Sequence, residues 1–145
     1  MSFPPPIPGV VIRYSYLWDR EHQAGLEEGN KDRPCAVVLA IIGDGGRTNI
    51  YVLPVTHSAP TSPDDAIEIP RVVKSYLGLD AGRSWIVITE ANIFAWPGPD
   101  LRPAINGDPS TIVYGYLPPN FFDHVRRKFI ERARRGKAKA IKRTE

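Results

Sequence analysis

The sequence predicts a small, mainly β domain, a strongly curved antiparallel sheet or barrel carrying one C-terminal α-helix. Fifteen prolines in 145 residues, about twice ordinary usage, punctuate the chain as far as Pro119. An interior proline removes a helical donor and clashes with the preceding turn, so no long helix fits before Pro118. Short apolar runs lie between the prolines, and the strand is the element that fits them. Only beyond Pro118 do apolar residues recur at helical spacing, at Phe122, Val125, Phe129 and Ala133.

Taken in order, Val10–Tyr16 begins apolar and then alternates, as a first strand does. Residues 19–33 are polar, contain Gly25 and Gly29, and predict a long loop; loops of that length more often bind or move than merely connect. Cys35–Ile42 is apolar on both faces, the mark of a central buried strand. Gly43-Asp44-Gly45-Gly46 suits a hairpin connection, and Asn49–Leu53 returns as the next strand, expected to stop at Pro54. Ala66–Ile69 alternates as a further strand, and Arg71–Leu77 makes one or two helical turns stopped by Gly78. Ser84–Glu90 is the clearest later strand, extended or bulged by Asn92–Phe94. Residues 95–110 are irregular, and Ile112–Tyr116 is a short edge strand. Val37, Val38, Leu39, Ile41, Val52, Ile86 and Ile88 form the predicted core. The chain thus divides into a β domain over 1–117, a basic helix over 118–136 packed on it, and a flexible basic tail over 137–145 with no apolar face.

Charge is unevenly spread. Residues 121–145 carry ten Lys or Arg against three acids, whereas residues 1–120 carry nine against thirteen. Such a tail suits a nucleic acid, an acidic protein or a membrane surface, or simply solvates a small protein. No apolar stretch approaches the ~20 residues of a bilayer span, and the first residues lack a signal-peptide pattern. A cytoplasmic protein without membrane association is expected. The single Cys35 excludes an intrachain disulfide, and its place at the head of an apolar strand marks a buried thiol rather than a nucleophile. His22, His57 and His124 have no paired spacing, so no metal site is expected. The glycines at 43, 45 and 46 lie between strands and read as a turn, not a phosphate cradle.

What remains is a polar group at two strand ends. Gly29-Asn30-Lys31-Asp32-Arg33-Pro34 leads into the central strand, and Pro54-Val55-Thr56-His57-Ser58 leaves the next. A hairpin between them sets Arg33 beside Thr56, His57 and Ser58: a guanidinium, two hydroxyls and an imidazole, suited to a phosphodiester. The structural alternative is an arginine that pins the loop through backbone carbonyls and a Thr-Ser turn.

These residues resemble the MazF/PemK-type toxins of bacterial toxin–antitoxin modules. Gly9-Val10-Val11, the Lys31-Asp32-Arg33-Pro34 lead into an apolar strand, the Thr56-containing strand end and Ser84-Trp85-Ile86-Val87 carry the resemblance, over roughly residues 9–103. It implies a small SH3-like β-barrel related to CcdB-type proteins and a homodimer. It also implies an endoribonuclease that cuts single-stranded RNA without metal or other cofactor and is silenced by a cognate antitoxin. Arg33 and Thr56 match the family's catalytic arginine and threonine, and residues 19–32 match its mobile loop. The family's further arginine and aspartate are not matched, since Thr89-Glu90-Ala91-Asn92 stands there. In this chemistry the 2′-hydroxyl attacks phosphorus, Arg33 stabilises the phosphorane and Thr56 positions the phosphate. His57 titrates near neutrality and is the auxiliary acid or base, although strand alternation sets it opposite Thr56 if the strand continues. Lys31, Ser58, Arg126 and Arg127 are expected to contact RNA, with Trp18, Tyr16 and Phe94 as platforms for splayed bases. Two other readings stay open: a non-catalytic barrel that binds a protein target as gyrase inhibitors do, and a nucleic-acid-binding module without toxicity.

Overall fold

The computed structural model describes residues 2–26, 29 and 31–143; Asn30 of the strand-entry motif and parts of the 19–32 loop and 137–145 tail lie outside the described residues. Eight strands form one curved sheet: β1 (Val10–Tyr14), β2 (Arg33–Ile42), β3 (Thr48–Thr56), β4 (Ala66–Glu68), β5 (Trp85–Val87), β6 (Glu90–Ala95), β7 (Val113–Tyr116) and β8 (Lys139–Lys142). Three helices accompany them: α1 (Asp19–Gln23), α2 (Arg71–Tyr76) and the long α3 (Pro119–Arg134). The sheet runs β4-β5-β3-β2-β1-β7, with β6 on β3 and β8 on β6; every pairing is antiparallel except β6 with β8. The mainly β sheet with a C-terminal helix is as expected; the sheet does not close, and its path ends at β4 and β7.

β3 sets the curvature. Its residues 49–52 pair with β6 and residues 55–56 with β5, while its other edge pairs with β2 over residues 48–54. The strand therefore continues through Pro54, where a stop was expected. Along the outer edge, residues 53–54 pair with neither neighbour, so a residue without an N–H costs little there.

The two-faced apolar run of β2 behaves as its composition demands. Ala36 and Val38 pack with Val11, Leu53, Val55 and Ile86 on one face, which Val125 and Phe129 of α3 cover. Cys35 and Val37 pack with Ile12, Tyr14, Ile50 and Phe94 on the other. Val37, Val38, Val52, Ile86 and Ile88 are buried as expected, but Leu39 is only half-buried and Ile41 is 48% exposed. The reason is the reach of β1, which accompanies β2 only over residues 33–36, so the far end of the β2–β3 hairpin projects beyond the core. The hairpin turn has the chemistry expected, with Gly45 at φ 76° and Gly46 at φ 78°.

The expected Ser84–Glu90 strand is broken into β5 and β6, and two further segments differ from the sequence reading. The 19–33 loop holds the short α1, whose buried Glu21 accepts the Trp18 N–H at 3.0 Å. The loop returns so close to Tyr16 that a Cβ on Gly29 would overlap the Tyr16 carbonyl. Gly29→Ala is therefore expected to cost about 1–3 kcal/mol, the range for overpacking, read as a lower urea midpoint; an unchanged midpoint would refute the close approach. Residues 137–145 are not a flexible tail where described: β8 lies on the open edge of β6, Ile141 is buried, and so is Arg143.

Candidate functional site

Antiparallel pairing of Cys35 with Pro54 brings the start of β2 and the end of β3 to one edge of the sheet. A cleft of ≈ 350 Å³ opens there, lined among others by Arg13, Lys31, Arg33, Thr56, His57 and Lys74. Among the described residues Asp32 and Asp80 are its only carboxylates, against Arg13, Lys31, Arg33 and Lys74. Four of the residues singled out from sequence, Lys31, Arg33, Thr56 and His57, thus share one concavity.

Arg33 is half-buried. Its Nη1 donates to the Val55 carbonyl at 3.2 Å, and its guanidinium lies 4.9 Å from the centroid of the Trp18 ring. Burial holds Arg33 below the ordinary arginine value, yet arginine stays charged in proteins. Trp18 is only 8% exposed, with Arg20 also against its ring and Tyr16 edge-on at 5.1 Å. Its expected role as a base-stacking platform does not fit: the indole is a buried support for Arg33. Tyr16 and Phe94 are buried as well, Phe94 stacked on Tyr14.

Thr56 Oγ1 accepts the Ser58 backbone N–H at 3.2 Å, which leaves the hydroxyl proton free to be donated. Both structural features weighed from sequence, the carbonyl-pinning arginine and the Thr-Ser turn, are therefore present together with the shared cleft. Ser58 is exposed and does not line the cleft.

His57 shares the cleft with Thr56 because β3 ends at Thr56 and alternation goes no further. Its Nε2 lies 2.9 Å from Asp80 Oδ2, and its Nδ1 lies 3.0 Å from the Arg83 carbonyl and 3.2 Å from Ser84 Oγ. Both ring nitrogens are engaged within the protein, so the acid–base role expected of His57 finds no nitrogen for a substrate. The imidazole instead anchors the 80–84 segment. Lys74 does the same from below. It is 4% exposed, and its Nζ donates to Asp80 Oδ1 at 2.7 Å, to Ser84 Oγ at 2.7 Å and to the Gly82 carbonyl. Three acceptors occupy its three donors, so the buried Lys74–Ser84 contact is a staple and not a base–nucleophile pair. The Lys74 hydrogen bond, with the His57 charge adding, holds the Asp80 carboxyl below the usual range. Burial pushes the Cys35 thiol up, in keeping with a packed and inert side chain.

Glu90, at the position of the unmatched family residues, does not reach the cleft. Its Oε1 accepts the Tyr16 hydroxyl at 3.0 Å and the Asp19 N–H at 2.9 Å, and burial raises its carboxyl above the ordinary value. A raised folded value means that Glu90 favours the fold most when protonated, below the ordinary glutamate value of about 4.3, and that this contribution is lost as pH rises through the folded value. Glu90→Gln keeps the accepting oxygen without the charge. The variant is expected to gain on wild type in urea unfolding at pH 7 and to lose that gain near pH 4. A variant that is less stable than wild type at pH 7 would contradict the assignment.

Arg126 and Arg127 are elsewhere. Both reach Asp123, at 3.0 and 2.9 Å, and with Arg134 and Arg135 they border a shallow depression on α3. They do not line the cleft. Conversely, Arg13, Tyr114, Lys74, Asp80 and Ser84 line it without having been singled out from sequence. Arg13 left a signal, as the one charged residue of β1; the others come from remote segments that only the fold assembles.

Comparisons with models of known protein families, with curated proteins and with solved structures find no match. Among the described residues no helix is long and apolar enough to cross a membrane, and no three His, Cys, Asp or Glu side chains group as a metal site requires.

Proposed function

We propose that this chain is the toxin of a type II toxin–antitoxin module, an endoribonuclease that cuts single-stranded RNA without a metal ion. The observation that supports the reading is that Arg33 and Thr56 line one cleft in which, among the described residues, cations outnumber carboxylates. In the reaction the 2′-oxygen forms a bond to phosphorus, the bond from phosphorus to the 5′-oxygen breaks, and a 2′,3′-cyclic phosphate and a 5′-hydroxyl result. The 2′-hydroxyl loses its proton and the departing 5′-oxygen gains one. The phosphorane between these states carries extra negative charge, which the Arg33 guanidinium meets with fixed N–H donors and the Thr56 hydroxyl with a further one. The same reading takes the open eight-stranded sheet as a relative of the SH3-like barrel. Its partners are single-stranded RNA, a cognate antitoxin and a second copy of the chain, within the cytoplasm. The basic face of α3 is the surface for RNA or for an acidic antitoxin segment.

Purified protein incubated with a long single-stranded RNA in EDTA is the test. Cleavage by wild type and a rate lower by about 10²–10³ for Arg33→Ala is expected. Intact RNA, or cleavage that appears only with magnesium, would overturn the reading.

A further inference from the structure

We infer that Arg13 is a second phosphate-binding residue of the cleft, gripping the RNA backbone beside the phosphodiester held by Arg33. The inference rests on the RNA-cleaving reading and adds to it a residue from β1. Arg13 is the only charged side chain in a strand whose other members, Val10, Val11, Ile12 and Tyr14, are all buried. It pairs across to Pro34, next to Arg33. Its guanidinium lies 4.1 Å from the centroid of Tyr114, and its Nη1 donates to the Tyr114 hydroxyl at 2.9 Å. The fork is thereby held in one place before any ligand arrives, which lowers the ordering cost of binding.

The unusual feature is what Arg13 lacks. Arg83, Arg102, Arg132 and Arg143 each have a carboxylate within 4.0 Å. Among the described residues no ion pair is formed by Arg13 or by Arg33, although both are half-buried and each has a buried Nε without an acceptor. Asp32, on the cleft rim, lies 3.6 Å from Arg102 instead. Glu21 acts on Arg33 and Asp32 on Tyr114 only from beyond contact distance, so a ligand anion is what would supply a direct partner for either half-buried guanidinium. Two such guanidiniums from adjacent strands in one cleft fit a chain of phosphates better than a single anion.

The probe is a fluorescent single-stranded RNA with 2′-O-methyl groups, which binds but has no free 2′-hydroxyl to react. Anisotropy titrations of wild type, Arg13→Ala, Arg13→Lys and Arg33→Ala across a salt series give the readout. Arg13→Ala is expected to weaken binding roughly tenfold at low salt and to flatten the log affinity–log salt slope by about one unit. Arg13→Lys is expected to recover the slope but not the full affinity. Should Arg13→Ala fail to fold, Tyr114→Phe, which keeps the ring and loses the hydroxyl that holds the fork, is expected to weaken binding in the same direction. Wild-type affinity and slope in Arg13→Ala, beside a loss in Arg33→Ala, would overturn the inference alone. Tight Arg13-dependent binding without cleavage of unmodified RNA would overturn the catalytic reading and leave the inference standing. No binding by wild type would overturn both.

Discussion

Removing Arg143, by Arg143→Met or by ending the chain at Lys137, is expected to cost about 3–5 kcal/mol of stability, the range for breaking one side of a buried ion pair. Arg143 is 4% exposed, and its Nη2 lies 3.1 Å from the buried Asp100 carboxylate. Its Nη1 donates to the Ser15 carbonyl at 2.6 Å, to Asn92 Oδ1 at 3.0 Å and to the Tyr14 hydroxyl at 3.3 Å. One side chain thus ties β1, the segment after it, β6 and the 95–110 region together. Met fills similar volume but supplies no donor, which takes the Arg143 charge from Asp100 and leaves carbonyl and amide oxygens facing apolar surface. The truncation adds the lost burial of Ile141, about 1.5–3 kcal/mol, and bares the β6 edge. Urea unfolding reads both variants; the truncated chain is expected to have the lower midpoint. A truncated protein with the wild-type midpoint would mean that residues 138–143 are a dispensable appendage.

That dependence was not legible in the chain's last residues, and the reason is physical. Lys139-Ala140-Ile141-Lys142 has one large apolar residue among lysines, so neither period nor hydrophobicity marks a strand. What orders it is an open edge on β6 and a buried carboxylate at Asp100, both contributed from far away in sequence. The same division holds elsewhere. β2 was legible because a run apolar on both faces can only be buried on both faces, and α3 because its stripe is local. The break between β5 and β6, which a continuous apolar pattern hides, follows from β3 exchanging one partner for the other. In the cleft, the proximity of Arg33 to Thr56 follows from a hairpin whose turn chemistry is written in four residues. The fate of His57 does not, because Asp80, Arg83 and Ser84 reach it from the far side of α2. Nor does the loss of Trp18 as a platform, since only the folded loop shows its ring covered by two arginines.

Arg33→Ala is expected to lower the RNA cleavage rate by about 10²–10³, the scale for removing one fixed donor to a charge that develops in the transition state. From sequence alone the guanidinium sits at a loop end with little to give the core. The structure gives it a hydrogen bond to Val55 and packing on Trp18, so the variant is also expected to lose about 1–2 kcal/mol of stability. That loss is a small part of the 5–15 kcal/mol typical of a domain and leaves the chain folded at 25 °C. Activity and stability must therefore be read separately. Single-turnover cleavage at saturating protein gives the chemical step, and a thermal melt gives the fold. Arg33→Lys sharpens the distinction. Lysine keeps a positive charge near the phosphate but cannot present two parallel donors or stack as a plane on the indole. It is expected to retain most of the RNA affinity while the chemical step stays slowed by at least tenfold. Electrostatic attraction alone, without the fork, would instead let lysine restore the rate. An Arg33→Ala protein that melts cooperatively and cleaves at the wild-type rate would remove Arg33 from the chemistry. A rate loss that merely follows the unfolded fraction would make the residue a structural pin between β2 and β3.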